Sequence, residues 1–355
     1  MPTNLSSAVI KKILAKFGMI DQVEAILPQQ TGYRNTVLPF SLKNKKKMAL
    51  IIYKDEPDVL RKIKLANWLS GQLNKNGWPT RIAWRVEGQE IVQVVHKSKK
   101  RFCCIYNYLP GATISWENYT KKHLKLVGQV LGLLHQEMSE IEDLPHNLLI
   151  QECFNLEVKV TEMSKYFMEE GVRQALEQKL KVEITGGVFQ KQLRLVKQLA
   201  SLPHQQPLHL DFVRGNLLFR DDIIDQDVQD SRFCLQDNSQ LNMSGILDFE
   251  KAALGPPVLE LARTLSFLLV DCKYKSTDQI IKHFLHLGYV KRAQQPLPSA
   301  KLLGTLVKLY LTIDFYHFLL HSPYESLEEN EHFVRTRKLV APHLFSNCSH
   351  SSTLL

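Results

Sequence analysis

Three oxygen-bearing side chains stand at a spacing suited to holding a hard divalent cation against phosphates. They are Asp211 and Asn216 in the run His209-Leu-Asp211-Phe-Val-Arg214-Gly-Asn216, and Asp248 at the end of a separate apolar run, Ser244-Gly-Ile-Leu-Asp248-Phe-Glu250. Phosphoryl transfer to a hydroxyl asks for such a set: one fixed carboxylate facing the acceptor, with an amide and a second carboxylate holding Mg²⁺ on the nucleotide phosphates. Leu217-Leu-Phe219 and Gly245-Ile-Leu247 are short apolar runs bounded by turn residues, and they read as the two strands of a hairpin. A hairpin there sets Asn216 and Asp248 at neighbouring strand ends.

These residues resemble the kinase-like phosphotransferases typified by aminoglycoside phosphotransferase and choline kinase, whose catalytic loop is written H-x-D-x-x-x-x-N and whose metal motif centres on an aspartate before phenylalanine. The resemblance covers residues 15–340, with its specific motifs confined to 207–263. It implies an α+β, two-lobed protein-kinase-like fold, with a small N-terminal antiparallel-sheet lobe and a larger, mostly helical C-terminal lobe. It implies ATP and Mg²⁺ as cofactors and a small-molecule hydroxyl as acceptor. By the same resemblance Asp211 is the catalytic base, while Asn216 and Asp248 are the metal ligands. His209 locks the loop by hydrogen bonding. Arg214 either touches the transferring phosphoryl or pairs with a neighbouring acid. Glu250 either binds metal-held water or caps the next turn, and Glu260 and Arg263 are scaffold.

Upstream elements must bring the nucleotide to this set. Residues 6–17 carry Val9, Ile10, Ile13, Leu14 and Phe17 at helical spacing, and residues 36–42 and 48–54 are β-compatible. The resemblance places Gly32 in a turn over the ATP phosphates, although a lone glycine fits an ordinary hairpin turn as well. It also asks the second strand for a lysine paired to a glutamate on the next helix. Lys54 is the candidate, yet the usual basic position falls near Ile51. The helix predicted over 57–76 has no acid beyond Asp58, so Glu56 or Asp58 must stand in, unless they serve only the helix N-terminus. Strand-like runs at 91–95 and 102–108 precede Pro110-Gly111, where the resemblance implies an interlobe hinge whose residues Tyr106, Tyr108 and Leu109 meet adenine.

The expected organisation is a nucleotide-binding lobe over 1–108, a helical catalytic and substrate lobe over 109–346, and a disordered tail over 347–355. Helices are predicted around 124–138, 187–202 and 302–320. His123 and His135, with no partner at i+4, read as packed or surface polar residues rather than ligands. The acid-rich stretch 220–243 reads as a solvated insertion in the hairpin, lacking the glycine and terminal glutamate of a calcium loop. Residues 114–119 border the acceptor, for which Glu117, Glu169 and Glu170 are candidate carboxylates by fold analogy alone.

Composition bounds these readings. With 355 residues, 44% of them hydrophobic, the chain can bury a full core. The net charge of +9 gathers in Lys43–Lys47 and Lys97–Arg101, between apolar runs and without interleaved aromatics, so no specific nucleic-acid partner is expected. Six cysteines show no C-x-x-C pair and fit reduced thiols. Lys308, Asp314 and His317 interrupt the longest apolar stretch, so no membrane span is expected, and Lys11 and Lys12 break any signal-peptide core. A cytoplasmic enzyme of unknown oligomeric state is the expectation. Two alternatives remain: a nucleotide-binding regulatory protein without transfer activity, favoured by the missing lysine–glutamate pair, and a kinase of protein substrates, disfavoured by the lack of D-F-G and A-P-E landmarks.

Overall fold

A continuous apolar run, Met48-Ala-Leu-Ile-Ile-Tyr53, dictates the centre of the first sheet, because a strand without polar alternation must be covered on both faces. The computed structural model, which describes residues 6–31, 35–96, 99–220, 231–235, 241–294 and 296–346, shows how. The chain divides into two compact units, the first comprising Met1–Thr113, Asn216–Arg220 and Met243–Lys251 and the second the remainder.

In the first unit, strands β1 (Val23–Ile26), β2 (Gln30–Thr31), β3 (Thr36–Leu42), β4 (Lys47–Ile52), β5 (Val92–His96) and β6 (Lys99–Asn107) form one sheet, ordered β1-β3-β4-β6-β5 with β2 on β3. All its pairings are antiparallel. Alternation along β4 divides the core in two. Met48, Leu50 and Ile52 pack with Ile13, Leu14 and Phe17 around the helix Ser7–Lys16. Ile51 and Tyr53 pack with Val59 and Ile63 of the helix Val59–Lys75. Cys103 and Cys104 on β6 fall into opposite clusters, so the adjacent thiols face different sides of the sheet. Burial pushes each thiol up to about 12, which leaves them inert at neutral pH.

Two further strands of this unit arrive from far along the chain. β8 (Leu217–Arg220) pairs with β9 (Asn242–Ile246), as the hairpin reading expects. Residues 221–230 and 236–240 of the acidic insertion lie outside the described residues, as does the tail after Ser346. The hairpin is fastened to the rest of the unit by bridges between Ala112 and Phe219 and between Thr80 and Ile246.

The second unit is mostly helical. Helix Glu152–Met168 packs on Val188–Ala200, and Ala300–His321 packs on both Pro257–Asp271 and Glu331–Leu344. β7 (Gln206–Leu208) and β10 (Ala253–Gly255) form a short antiparallel pair that leads into the loop of His209 and Asp211. Helix Ala300–His321 is long and apolar enough to cross a membrane by length and composition, but 67% of its apolar window is buried inside the protein. Its Asp314 is spent on an ion pair with Arg263, 2.8 Å apart.

The helix Lys121–Ser139 passes so close to residues 284–289 that only glycine fits at Gly128. A Cβ there would lie 2.7 Å from the Tyr289 nitrogen and closer still to the Phe284 carbonyl oxygen. Gly128→Ala is therefore expected to cost about 3 kcal/mol. Gly71→Ala, in the middle of helix Val59–Lys75 with nothing near its Cβ, is expected to gain about 0.5–1 kcal/mol. Urea titration of the two variants checks both signs.

Candidate functional site

In the first unit, the ends of β8 and β9 are drawn together by the Leu247 N–H, which donates to the Asn216 carbonyl at 2.8 Å. This places Asn216 and Asp248, both half-buried, on adjacent backbone. Asp248 takes a left-handed conformation (φ 62°), unusual for a residue with a Cβ. Its Oδ1 accepts the Glu250 N–H at 3.4 Å, opening the turn Phe249–Lys251, whose Phe249 is buried. An amide and a carboxylate oxygen are donors that suit a hard cation, which usually keeps one or two carboxylates and completes its shell with phosphate oxygens and water. The residues present therefore fit Mg²⁺.

Glu250 has a second partner that sequence reading missed. Asn35 donates from Nδ2 to Glu250 Oε1 at 3.0 Å, and its Oδ1 accepts the Lys54 N–H at 3.1 Å. Asn35 thus ties the start of β3 and the residue just past β4 to the turn that follows β9. The signal available in sequence was weak, a polar residue before a strand. The Lys54 side chain itself is exposed. Glu56 stands 3.5 Å from Lys62, and Asp58 stands 3.8 Å from Arg61. Gly32 lies outside the described residues.

The segment after β6 is fixed to the hairpin. Gly111 has φ 105°, and a Cβ there would come 2.8 Å from the Phe219 carbonyl. Ser244 Oγ donates to the Pro110 carbonyl at 2.7 Å. Leu109 is half-buried beside it. Tyr108 gives its N–H to the Lys47 carbonyl, and its hydroxyl accepts from Gln30 at 3.3 Å. Tyr106 points into the unit: its hydroxyl donates to Asn67 Oδ1 at 2.7 Å and lies 2.6 Å from the Tyr53 hydroxyl. Burial pushes the proton affinity of both phenols well above the usual range, so this cluster stays neutral.

The loop that carries Asp211 belongs to the second unit. His209 is fully buried, and its Nδ1 accepts the Asp211 N–H at 3.1 Å. Leu210 is left-handed (φ 60°), and its N–H donates to Glu260 Oε1 at 2.8 Å. Glu260, with no exposed surface, also meets His135 Nε2 at 3.1 Å. Burial pushes its carboxyl up, but the His135 bond, the nearby histidine charges and the Leu210 N–H together outweigh this and hold it below the usual carboxylate range. Asp211 itself is buried. Behind it, burial disfavours the charge on Arg263, but Asp314, and more weakly Asp211, raise its proton affinity and keep it ionised.

Arg214 takes the ion-pair alternative. Its Nε donates to Asp271 Oδ2 and its Nη1 to the Ile114 carbonyl, both at 3.2 Å. The segment expected to border the acceptor is thereby fastened to the loop that carries Asp211. Trp116 in that segment stacks on His332 with centroids 4.3 Å apart, and Lys273 lies 4.2 Å from its ring centre. Glu117 faces Lys273 at 3.8 Å, whereas Glu170 borders a cavity of about 610 Å³ lined by Phe167, Phe189 and Lys181.

Solved structures share this architecture. An aminopropanol kinase associated with a microcompartment superposes with a TM-score of 0.67 at 14% identity, over 95% of this chain and 96% of the other. An amicoumacin kinase, solved with AMP-PNP and Ca²⁺, gives 0.61 at 14% identity over 94% and 96%. A choline kinase from Cryptosporidium parvum gives 0.51 at 12% identity over 94% of each chain. No family model and no curated protein matches the sequence. At such identities the likeness is one of fold: the α+β, kinase-like architecture of aminoglycoside phosphotransferases and choline kinases, extending over nearly the whole chain.

Proposed function

We propose that this protein is an ATP- and Mg²⁺-dependent phosphotransferase that phosphorylates a hydroxyl of a small molecule. The observation that carries the reading is the pairing of Asn216 with Asp248 at joined strand ends, five residues after a buttressed Asp211. The fold shared with small-molecule kinases supports it. Asn216 and Asp248 would hold the metal, which when bound offsets the charge that builds on the phosphates. Asp211 accepts or orients the proton of the acceptor hydroxyl. Glu260 sets its position through the Leu210 N–H, and His209 through the Asp211 N–H. Asn35 steadies Glu250 beside the metal ligand. Leu109 and Tyr108 border the adenine. Arg214, engaged by Asp271, holds the 114–119 segment against which the acceptor is read.

Asp248→Ala is expected to weaken Mg²⁺-dependent ATP binding about a hundredfold, the loss of a charged metal ligand, while adenosine binding persists. Calorimetry showing full affinity for Mg·ATP in that variant defeats the metal assignment. The lack of a helix glutamate for Lys54 favours the second reading, nucleotide binding without transfer, and ATP turnover by the purified protein separates the two.

A further inference from the structure

Resting on the phosphotransferase reading, we propose that Arg81 supplies the phosphate-binding cation of the nucleotide site, in place of a lysine on the central strand. The central strand offers none on its inward face, its one lysine being the exposed Lys47 at its start. The positions of β4 that face the helix Val59–Lys75 are Ile51 and, just beyond it, Tyr53, and the Tyr53 hydroxyl is committed to Tyr106. On that helix Asn67 stands where an acidic partner would be sought, and it bonds to Tyr106. A buried chain of Tyr53, Tyr106 and Asn67 therefore joins strand and helix and ends on Glu90, which accepts from Asn67 Nδ2 at 3.0 Å and is already paired with Arg85, so a lysine set into it would break these bonds. The positive charge has to enter from elsewhere.

Arg81 enters from the side. It lies between two backbone anchors: Thr80 bridges Ile246, whose N–H donates to the Pro79 carbonyl, and Ala83 bridges Tyr106. One anchor is two residues before Asp248, and the other is at the end of β6 where adenine is expected, so the Arg81 Cα is fixed between the metal strand and the base. All these residues belong to the first unit. The guanidinium carbon lies 5.9 Å from the centre of the Tyr106 ring. Its charge is felt at the Tyr53 hydroxyl, which also senses Glu250. Among the described residues no carboxylate or carbonyl pairs with the Arg81 guanidinium. By contrast Arg85, Arg214, Arg263, Arg335 and Arg337 each have a polar partner. A half-buried cation fixed by its backbone and left without an anion is matched by an anionic ligand, and a planar fork suits phosphate oxygens.

The test is calorimetric titration of wild type, Arg81→Gln and Arg81→Lys with Mg·ATP, Mg·ADP and adenosine. Arg81→Gln should weaken both phosphorylated ligands about ten- to hundredfold and leave adenosine within twofold, with Arg81→Lys in between. Unchanged Mg·ATP affinity, or an equal loss for adenosine, overturns the assignment. Labelling of the wild-type protein with phenylglyoxal, mapped by mass spectrometry, avoids any folding defect: Mg·ATP should protect Arg81 and adenosine should not. Equal labelling with and without Mg·ATP refutes the proposal. Failure of the wild-type protein to bind Mg·ATP at all overturns the phosphotransferase reading itself, whereas binding that ignores Arg81 overturns only this residue's part.

Discussion

Asp211→Asn should reduce phosphate transfer by about a thousandfold while Mg·ATP binds within a few-fold of wild type. The first number follows from the contribution of a positioned base, about 10²–10⁴ in rate. The second follows from the roles proposed above, in which Asn216 and Asp248, and not Asp211, hold the metal on the phosphates. The amide is nearly isosteric, so the bond from its N–H to His209 and the neighbouring Leu210–Glu260 bond should survive. Measurement of labelled phosphate transfer to a screened acceptor, alongside calorimetry, checks both halves. Turnover equal to wild type removes Asp211 from the mechanism. Parallel loss of nucleotide affinity would recast it as a binding residue.

Glu260→Ala is expected to cost about 3–5 kcal/mol of stability, since it strips a buried carboxylate from two donors and leaves both without a partner. The pH dependence gives the sign independently. The carboxyl of Glu260 is held below its ordinary range, so its contribution is complete above the unfolded value of about 4.3 and fades as pH falls through the folded one. His343 behaves differently on the way down. Burial lowers it to about 4, so the unfolded chain takes up its proton first, and stability declines from about pH 6.5. Wild type should thus weaken in an upper acid stage, to which His317 also contributes, and in a lower one that should shrink in the variant, as urea titration checks. A variant as stable as wild type at pH 7 would show that Leu210 keeps its conformation by other means.

Much of this architecture could be read from local pattern. Strand β3 coincides with its predicted span, and the helices Ser7–Lys16 and Val59–Lys75 fall within two residues of theirs, because periodicity and turn residues are local signals. The β8–β9 hairpin was legible for the same reason. What escaped were contacts between residues remote in sequence. Asn35 meets Glu250 across 215 positions, and Leu210 meets Glu260 across 50, with nothing in either neighbourhood to announce the partner. Arg81 was hidden more thoroughly. It stands in a stretch without regular secondary structure, and its place is set by single bridges to two different strands. The residues expected to meet adenine divide likewise: Tyr108 and Leu109 stand at the turn, whereas the Tyr106 ring was drawn inward by its bond to Asn67.

The first unit draws on chain segments separated by more than a hundred positions, 1–113 and then 216–220 and 243–251. During synthesis, at roughly 5–20 residues per second, the six-stranded sheet emerges from the ribosome well before the hairpin that carries Asn216 and Asp248. The loop closure that joins Thr80 to Ile246 is then a late event with a long entropic reach. A nascent chain halted before residue 216 would hold every strand of the sheet but neither Asn216 nor Asp248, so the proposed cation site can form only once translation has passed that hairpin.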